Sequence, residues 1–256
     1  MMQLQALIFD VDGTLAETER DGHRLAFNRA FADFDLGWDW PVGLYGKLLT
    51  VTGGKERIQH YVEHYKPSFV PEPDMETFCK ALHQAKTEHF KAILQDGGVP
   101  VRPGVQRLIQ DARKQGVRLA IASTSTLDNV LALLQTTLGP NSPNWFEVIA
   151  AGDMVPEKKP APDIYLYTLD KMALSPEHCL VIEDSHQGLI AATRAGLNTV
   201  VTVNDYTRHH DLSAARLVLN HLGDPHRPYT VLSGGPRQAY YFTLELAQLL
   251  LSSPKH

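Results

Sequence analysis

The sequence predicts an α/β fold in which a parallel β-sheet, flanked by helices, carries an inserted helical domain. Short apolar runs have the length and β-branched content of buried parallel strands. Apolar residues at helical spacing separate the later runs, as strand–helix–strand units require. A long stretch near the start, from about residue 17 to residue 95, has helix and loop patterns instead. Together these three observations predict the fold class.

The predicted elements follow the chain in order. The predicted strands are residues 4–9, 117–122, 148–151, 179–182 and 199–203. The predicted helices of the sheet domain are residues 103–115, 127–138, 163–171 and 187–195, with an apolar terminal helix at 242–251. Gly116 and Gly196 follow two of these helices, at the position where glycine commonly ends a helix. The alternation of strands and helices predicts helices on both faces of the sheet.

The helical stretch is predicted to be a domain of its own. The expected division is residues 1–16 and 98–256 for the sheet domain and residues 17–97 for the insertion, with linkers near 15–18 and 95–101. Gly97-Gly98-Val99-Pro100 marks the second linker. The aromatic residues available for a small core are Trp38, Trp40, Tyr61, Tyr65 and Phe69. The alternative is a set of peripheral helices packed on a single sheet.

Composition limits the partners and the compartment. A chain of 256 residues with 43% hydrophobic and 21% charged residues is typical of a globular protein, and its net charge of −5 favours neither nucleic acid nor an anionic membrane. Cys79 and Cys179 form no CxxC pair, so we expect buried thiols in a reducing compartment. The first predicted strand starts near Met1, and no apolar stretch approaches the ~20 residues of a membrane helix, so we expect a cytoplasmic protein.

Chemically active side chains follow four of the predicted strands. They are Asp10 and Asp12 after the first strand, Ser123, Thr124 and Ser125 after the second, Lys158 and Lys159 after the third, and Glu183, Asp184 and Ser185 after the fourth. Because ligands bind outside the carboxyl ends of strands in open parallel sheets, these groups should meet at one edge. Two aspartates one residue apart resist burial unless a cation or a shared proton compensates their charges.

The acidic groups predict a Mg²⁺ site, and their neighbours predict phosphoryl transfer. Carboxylate oxygens suit a hard divalent cation, while a lysine and hydroxyls suit phosphate oxygens. Asp10, last on its strand, is the natural nucleophile, and Asp12 could protonate the leaving oxygen. Each motif has a simpler interpretation: an Asp-Gly turn, helix caps at 123–125 and 183–185, and a solvated lysine pair.

The combination resembles a known family. Its ordered motifs are Phe9-Asp10-Val11-Asp12-Gly13-Thr14, the strand-end Ser123, Lys159 in Lys-Pro-Ala-Pro-Asp-Ile-Tyr, and Glu183-Asp184-Ser185. These are similar to the four motifs of the haloacid dehalogenase superfamily, across essentially the whole sheet domain. The resemblance implies a Rossmann-like core, a helical cap between the first two motifs, and catalysis through a phosphoaspartate with Mg²⁺.

The same resemblance implies roles for individual residues. Asp10 becomes nucleophile and metal ligand, and Asp12 becomes the general acid and base with its carbonyl on the metal. Ser123 and Lys159 hold the phosphate. Asp184 is a metal ligand supported by Glu183. The adjoining Thr124 and Ser125 are candidate phosphate contacts, since the start of the following helix is itself an anion site.

A second motif, in the inserted domain, predicts a ligand beyond the reacting phosphate. It consists of Thr52, Gly53, Gly54, Lys55 and Arg57. The two glycines expose backbone amides at the start of a helix, where cations oppose the helix dipole, so a second phosphate or a set of sugar hydroxyls would compensate them. The alternative is a glycine turn with solvated cations.

This motif, with Ala16-Glu17-Thr18-Glu19 and Ala85-Lys86-Thr87-Glu88, resembles the CbbY subfamily, xylulose-1,5-bisphosphate phosphatases that clear a Rubisco inhibitor in photosynthetic cells. The resemblance implies that the sugar and the distal phosphate are held by Glu17, His23, Lys55 and Arg57, with Lys86 as a further candidate. The sequence departs from the subfamily by an apparent extra residue, at Asp21-Gly22. The segment after about residue 225 has no counterpart.

The expected protein is therefore a monomeric Mg²⁺-dependent phosphatase that removes the 1-phosphate of xylulose 1,5-bisphosphate. One alternative is a β-phosphoglucomutase-like transfer, which uses the same aspartates but returns the phosphoryl group to a sugar. Another phosphatase of the superfamily, such as a phosphoglycolate phosphatase, is a second. A receiver-like signalling module is the third, although a receiver needs neither Asp12 as proton donor nor an insertion of about eighty residues.

Overall fold

The computed structural model describes residues 3–235 and 240–253. The chain divides into two compact units, Met1–Glu17 with Pro100–His256, and Thr18–Val99. The predicted α/β class, a parallel sheet with flanking helices and an inserted helical unit, is confirmed. The division falls close to the predicted one; the role of the second unit as a specificity cap stays a prediction.

The first unit contains the whole sheet. Its strands are β1 Ala6–Phe9, β2 Arg118–Ala122, β3 Val148–Ala150, β4 Cys179–Glu183, β5 Asn198–Thr202, β6 Leu217–Leu219 and β7 Val231–Gly234. The helices of the second unit are α1 Arg24–Asp33, α2 Val42–Leu48, α3 Gly54–Tyr65 and α4 Met75–Gln95. Those of the first unit are α5 Val105–Lys114, α6 Leu127–Thr137, α7 Asp163–Met172, α8 His186–Arg194 and α9 Leu244–Ser252.

The sheet has the strand order β3-β2-β1-β4-β5-β6-β7. Strands β1 to β6 pair in parallel, and β7 pairs antiparallel with β6. The order reverses between β1 and β4, which is the point where doubly wound sheets bind ligands. The sequence patterns did not predict β6 and β7, which are short, and β7 is largely exposed, so neither gives a long apolar run.

The central strands are buried on both faces, which explains their continuous apolar sequences. Every residue of β1 and of β4 is buried, including the last residue of β4, Glu183. Alternate side chains of these strands, such as Ile8 and Val181, pack with residues of α7 and α8 in one apolar cluster. A charged side chain at the end of so apolar a strand needs partners within the fold.

The second unit is held together by an aromatic cluster. Trp38, Trp40 and Tyr61 are buried, as expected from the sequence, and the Trp40 ring lies 5.2 Å from the Tyr61 ring. Phe69 is half-buried against Trp38, at 5.0 Å. Tyr65 does not belong to this core: it is exposed, near the end of α3, with its ring stacked on Tyr61.

The apparent extra residue before His23 has a structural explanation. Residues Glu19–His23 form a π-helical turn that leads directly into α1. A π-helical turn holds one more residue than an α-helical turn, so it absorbs a single insertion without breaking the helix. Gly22 lies where an added Cβ would be 2.8 Å from the Phe90 ring, so the turn packs closely against α4.

The segment that follows β6 completes the first unit. The predicted terminal helix is present as α9, and its apolar residues Leu244, Leu246, Leu250 and Leu251 are buried. The backbone N–H of Leu4 donates to the Gln248 side chain, 2.7 Å away, which ties α9 to the start of the chain. Cys79 and Cys179 are buried free thiols. None of the described helices combines the length and apolarity that a bilayer crossing requires.

Candidate active site

The strand-end residues of the first unit meet at the reversal between β1 and β4. Phe9 pairs with Ile182 across these strands, so the next residues, Asp10 and Glu183, are neighbours. The Asp10 backbone N–H donates to the Ile182 carbonyl at 3.0 Å. The next strand on the other side, β2, ends at Ala122 and is followed by Ser123, which is buried. The convergence predicted from the sequence is therefore present in this unit.

Lys159 is the buried cation at the centre of this group. Its ammonium donates to Asp10 Oδ1 at 2.7 Å, to Glu183 Oε1 at 2.7 Å and to the Ala122 carbonyl at 2.9 Å. These contacts use the three N–H bonds of the ammonium. Burial opposes its charge, but Asp10 and Glu183 outweigh burial and raise the pKa of Lys159 well above its usual value. The neighbouring Lys158 instead pairs with Asp153, at 3.1 Å.

Both carboxylate oxygens of Glu183 accept hydrogen bonds from donors of the first unit. Its Oε1 accepts from Lys159 and from the Tyr165 hydroxyl at 3.0 Å. Its Oε2 accepts from the backbone N–H groups of Asp184 at 2.9 Å and Ser185 at 3.2 Å, and from the Ser185 hydroxyl. Burial works against the charge, but Lys159 and these donors prevail, so the pKa of Glu183 lies below its usual value. The carboxylate is therefore charged and fixed in place.

Three carboxylates form a group that fits a divalent cation. One oxygen each of Asp10, Glu183 and Asp184 lies within 4.8 Å of the others. Burial, followed by repulsion from Glu183 and Asp10, raises the pKa of Asp184 well above its usual value. Burial also raises the pKa of Asp10 to about 8, against the attraction of Lys159. Both shifts favour the protonated forms, because three ionised carboxylates would exceed the positive charge of Lys159. A hard cation with oxygen ligands would compensate that charge and allow the carboxylates to ionise.

Asp12 lies on a turn whose shape depends on Gly13. Gly13 has φ +80, and an added Cβ would lie 2.4 Å from Asp184 Oδ2 and 2.6 Å from Asn204 Nδ2. Both the left-handed backbone and this close approach require glycine. The Asp12 carboxylate accepts a hydrogen bond from the Ser125 hydroxyl at 2.5 Å, and the Ser125 N–H donates to Ser123 Oγ at 3.0 Å. The turn after β1 and the loop after β2 therefore form one hydrogen-bonded network.

Two residues that sequence reasoning missed hold the acidic group in place. The Asn204 side chain donates to Asp184 Oδ2 at 2.6 Å. Asn204 comes directly after the predicted fifth strand, so the rule that identified the other strand-end residues would have found it. Tyr165 lies within a helix, where an apolar spacing explains it fully, so no sequence signal marks its hydroxyl as a partner of Glu183.

Arg102 is the third missed residue. It is buried, and its Nε lies 2.8 Å from Glu17 Oε1. Glu17, predicted as a sugar ligand, is therefore placed in the first unit and paired with a cation. Arg102 stands beside Pro103 and Gly104 in a turn, a context in which an arginine is usually exposed. Only its contacts distinguish it from a solvated side chain.

In the second unit, His23 and Lys86 lie together. Both are buried, and the Lys86 ammonium is 2.8 Å from His23 Nδ1. The His23 ring stacks on Phe90 with centroids 4.0 Å apart, and Lys86 lies over the Phe27 ring. A buried ammonium against an imidazole and aromatic faces is a polar centre within an aromatic cluster. His23 and Lys86, both of which the resemblance implies as substrate ligands, are thus neighbours.

The glycine motif of the second unit leads into α3. Gly53 has φ +97, and Gly54 begins the helix, with His83 packed so closely that a Cβ would lie 2.4 Å from its Nε2. Thr52 and Lys55 are half-buried beside them. Arg57 is buried and donates to the carbonyls of Leu48 and Val51 and to the Tyr45 hydroxyl. Arg57 therefore has a structural role in shaping this loop.

Comparison with known proteins identifies the family. A family model described as a haloacid dehalogenase-like hydrolase matches residues 4–196. The chain therefore belongs to the haloacid dehalogenase-like hydrolases, and it is a phosphatase, that is, a phosphoric monoester hydrolase.

The chain is also similar to proteins named CbbY. It is 46% identical to Protein CbbY of Cereibacter sphaeroides over 217 residues, which cover 85% of this chain and 92% of that protein. It is 49% identical to Protein CbbY of Rhodobacter capsulatus over 216 residues, 84% of this chain and 92% of that one.

The chain is also similar to solved structures of CbbY. CbbY from Rhodobacter sphaeroides in complex with phosphate is 45% identical, with a TM-score of 0.80 over 86% of this chain and 95% of that one. The D10N mutant of the same protein, solved in complex with xylulose-(1,5)bisphosphate, matches with the same values. β-Phosphoglucomutase from Clostridium difficile, at 21% identity and a TM-score of 0.68 over 84% of this chain and 90% of that one, shares the fold.

Proposed function

We propose that this chain is a Mg²⁺-dependent sugar-bisphosphate phosphatase whose preferred substrate is xylulose 1,5-bisphosphate, from which it releases the 1-phosphate to leave xylulose 5-phosphate. The observation that carries the proposal is the buried group in which Lys159 lies 2.7 Å from Asp10 and three acidic side chains converge. The similarity to a CbbY structure that contains xylulose-(1,5)bisphosphate supports this choice of substrate. A small phosphorylated sugar is thus the proposed partner.

Asp10 is the proposed nucleophile. A carboxylate oxygen of Asp10 attacks the phosphorus, the bond to the sugar oxygen breaks, and an acyl phosphate forms on Asp10. The ammonium of Lys159 stabilises negative charge on the phosphoryl oxygens, together with Ser123 and the loop residues Thr124 and Ser125. Glu183 orients Lys159 by accepting a hydrogen bond from its ammonium group.

Asp12 is the proposed acid and base. It donates a proton to the departing sugar oxygen, and in the second step it takes a proton from the water that attacks the acyl phosphate, which releases inorganic phosphate and restores Asp10. The hydrogen bond from Ser125 fixes the Asp12 carboxylate on its turn.

Asp10 and Asp184 are the proposed Mg²⁺ ligands, with the Asp12 carbonyl as a third and Glu183 in support. When bound, the ion neutralises the carboxylates and the phosphate oxygens. The saturated carboxylate of Glu183 favours a supporting role for it over a direct one, since each of its oxygens already accepts hydrogen bonds.

Residues Glu17, His23, Thr52, Gly53, Gly54, Lys55, Arg57 and Lys86 are proposed to select the sugar and the distal phosphate. Lys55 is the proposed cation for the distal phosphate, whereas Arg57 shapes the loop through its backbone contacts. Removal of a Rubisco inhibitor is the physiological role that this specificity would serve, and a cytoplasmic, monomeric enzyme is the proposed state.

The test is phosphate release, with Mg²⁺ and with EDTA, from xylulose 1,5-bisphosphate, ribulose 1,5-bisphosphate, β-glucose 1-phosphate and phosphoglycolate. We expect Mg²⁺-dependent release with a strong preference for the xylulose compound. Formation of glucose 6-phosphate from β-glucose 1-phosphate, with weak release elsewhere, would assign the chain to the mutases. Preference for phosphoglycolate would contradict the proposed substrate and leave the proposed chemistry of Asp10 in place.

A further inference from the structure

Arg102 is a buried cation to which the proposed reaction assigns no role. Its side chain is 4% exposed. It follows Val101, which forms a β-bridge with Ala16, and its backbone N–H donates to the Leu15 carbonyl at 2.9 Å. Arg102 therefore lies against the stretch of chain that runs from the Asp12 turn to Glu17.

The guanidinium joins three segments of the first unit. Nη1 donates to the Gly13 carbonyl and to the carbonyl and hydroxyl of Thr202, at 2.8 and 3.0 Å. Nη2 donates to the carbonyls of Val203 at 2.6 Å and Asn220 at 2.9 Å. These acceptors belong to the turn after β1 and to the ends of β5 and β6. Because a guanidinium is a rigid plane, these bonds also fix the position of its third nitrogen, Nε.

Nε forms an ion pair with Glu17. It lies 2.8 Å from Glu17 Oε1, a contact made through charge rather than through a well-aligned hydrogen bond, and the Glu17 side chain is 45% exposed. One end of this pair is thus rigid and buried, while the other reaches solvent. A carboxylate held in this way loses little conformational entropy when a ligand binds to it.

We propose that Arg102 is a positioning residue that holds the Glu17 carboxylate in the orientation needed to accept hydrogen bonds from the hydroxyls of the sugar substrate. The inference deepens the proposed function and rests on it. Pre-orientation of a polar group contributes to binding only where that group contacts the substrate, so Arg102 should affect sugar substrates and spare substrates that lack hydroxyls.

The test compares R102K, E17Q and the double variant, in the full-length chain with Mg²⁺. The readout is the kcat/KM for xylulose 1,5-bisphosphate divided by the kcat/KM for p-nitrophenyl phosphate, which carries no sugar hydroxyl. E17Q should lower this ratio about tenfold, the factor expected for loss of a hydrogen bond to a charged group. R102K should lower it by a similar factor, and the double variant no further than either single variant.

R107K is the matched control. Arg107 is also an arginine of the first unit that donates to backbone carbonyls, those of Gly223 at 2.9 Å and Phe242 at 2.8 Å, and it pairs with Asp224. R107K should leave the ratio unchanged. A merely structural role of Arg102 would reduce turnover of both substrates alike and leave the ratio at the wild-type value, which would overturn the proposal; so would additive losses in the double variant.

If R102K does not fold, Glu17→Asp provides the test. The carboxylate of the shorter aspartate would still pair with Arg102, but it would lie about one bond length, ~1.5 Å, from the position of the wild-type carboxylate. The ratio should therefore fall as in E17Q. A wild-type ratio in this variant would overturn the inference. Wild-type enzyme with no preference for the sugar bisphosphate over p-nitrophenyl phosphate would overturn the proposed function itself, before any variant is measured.

Discussion

Replacement of Gly188 by alanine should displace the carboxylate of Glu183. Gly188 lies in the first turn of α8, and a Cβ at this position would be 1.7 Å from Glu183 Oε1 and 1.9 Å from its Cδ. Heavy atoms that are not bonded do not approach this closely, so the carboxylate must move by roughly 1 Å or more to reach ordinary contact distance. The substitution adds one methyl group and removes no polar atom.

The size of the effect follows from the contacts of Glu183. In a helix interior, alanine is more favourable than glycine by about 1 kcal/mol. The substitution would therefore stabilise the folded protein if no atom lay close to the new methyl group. Against this gain, overpacking costs about 1–3 kcal/mol. Each hydrogen bond lost by the charged carboxylate, to Lys159, Tyr165 or the backbone of Ser185, costs about 1.5–3 kcal/mol more. The loss of one such bond makes G188A less stable than the wild type by about 1.5–5 kcal/mol.

The assay is urea denaturation followed by far-ultraviolet circular dichroism, with kcat measured on the same samples. G43A is the matched control, because Gly43 lies in helix α2 with no atom within 4 Å of an added Cβ. G43A should be as stable as the wild type or up to about 1 kcal/mol more stable. G188A should also lose at least about tenfold in kcat, since Lys159 loses its orienting partner. A fully active G188A with the stability of G43A would refute the account of Glu183.

Three further predictions follow from the same contacts. Asn204→Ala should raise the Mg²⁺ concentration for half-maximal activity about tenfold, because Asp184 loses the donor that orients it; an unchanged Mg²⁺ titration would contradict this role. Lys55→Ala should raise KM for sugar bisphosphates and leave KM for sugar monophosphates nearly unchanged, and equal losses for both would argue against a distal-phosphate site. Burial raises the pKa of Cys79 to about 11 and of Cys179 to about 12, so at pH 8 both thiols should react with an alkylating reagent about a hundredfold or more slower in the folded protein than in denaturant.

The strand-end residues of the first unit were predictable because parallel sheets impose their own geometry. The apolar runs identify β1, β2 and β4, and the register of parallel strands then forces Asp10, Ser123 and Glu183 to one edge. The order of elements fixes this arrangement without any knowledge of side-chain contacts. The distances between Lys159 and the two carboxylates were not predictable, because they depend on the path of the loop after β3.

Residues that act through buried contacts left no signal in the sequence. Arg102 and Tyr165 belong to common local patterns, a turn before a helix and an apolar helix face, and their polar ends meet partners distant in the chain. Two strands were also missed. Strand β7 shows solvent-facing residues that resemble a loop. Strand β6 is a buried run of three apolar residues, as short as β3, which the sequence did predict, so length alone does not explain why β6 was missed.

In the helical unit, the sequence predicted the members of the polar and aromatic clusters better than their functions. Lys86 and His23 are sixty-three residues apart, and their contact follows from the packing of the π-helical turn and α1 against α4. For Arg57 the charge predicted a ligand site, which stays a prediction, while its side chain donates to the carbonyls of Leu48 and Val51 and to the Tyr45 hydroxyl. A cation near the start of a helix can therefore either bind a ligand or donate hydrogen bonds within the fold, and only its contacts distinguish the two roles.

The most direct test of the central claim is to detect the phosphoryl group on Asp10 during turnover. The enzyme is mixed with xylulose 1,5-bisphosphate and Mg²⁺, quenched within the first turnovers and treated with borohydride, which reduces an acyl phosphate, and the peptide that contains Asp10 is analysed by mass spectrometry. We expect the reduced residue at position 10 in the wild type and its absence in D10N, which should also release no phosphate. Phosphate release at the wild-type rate by D10N, or modification at another residue, would contradict the account.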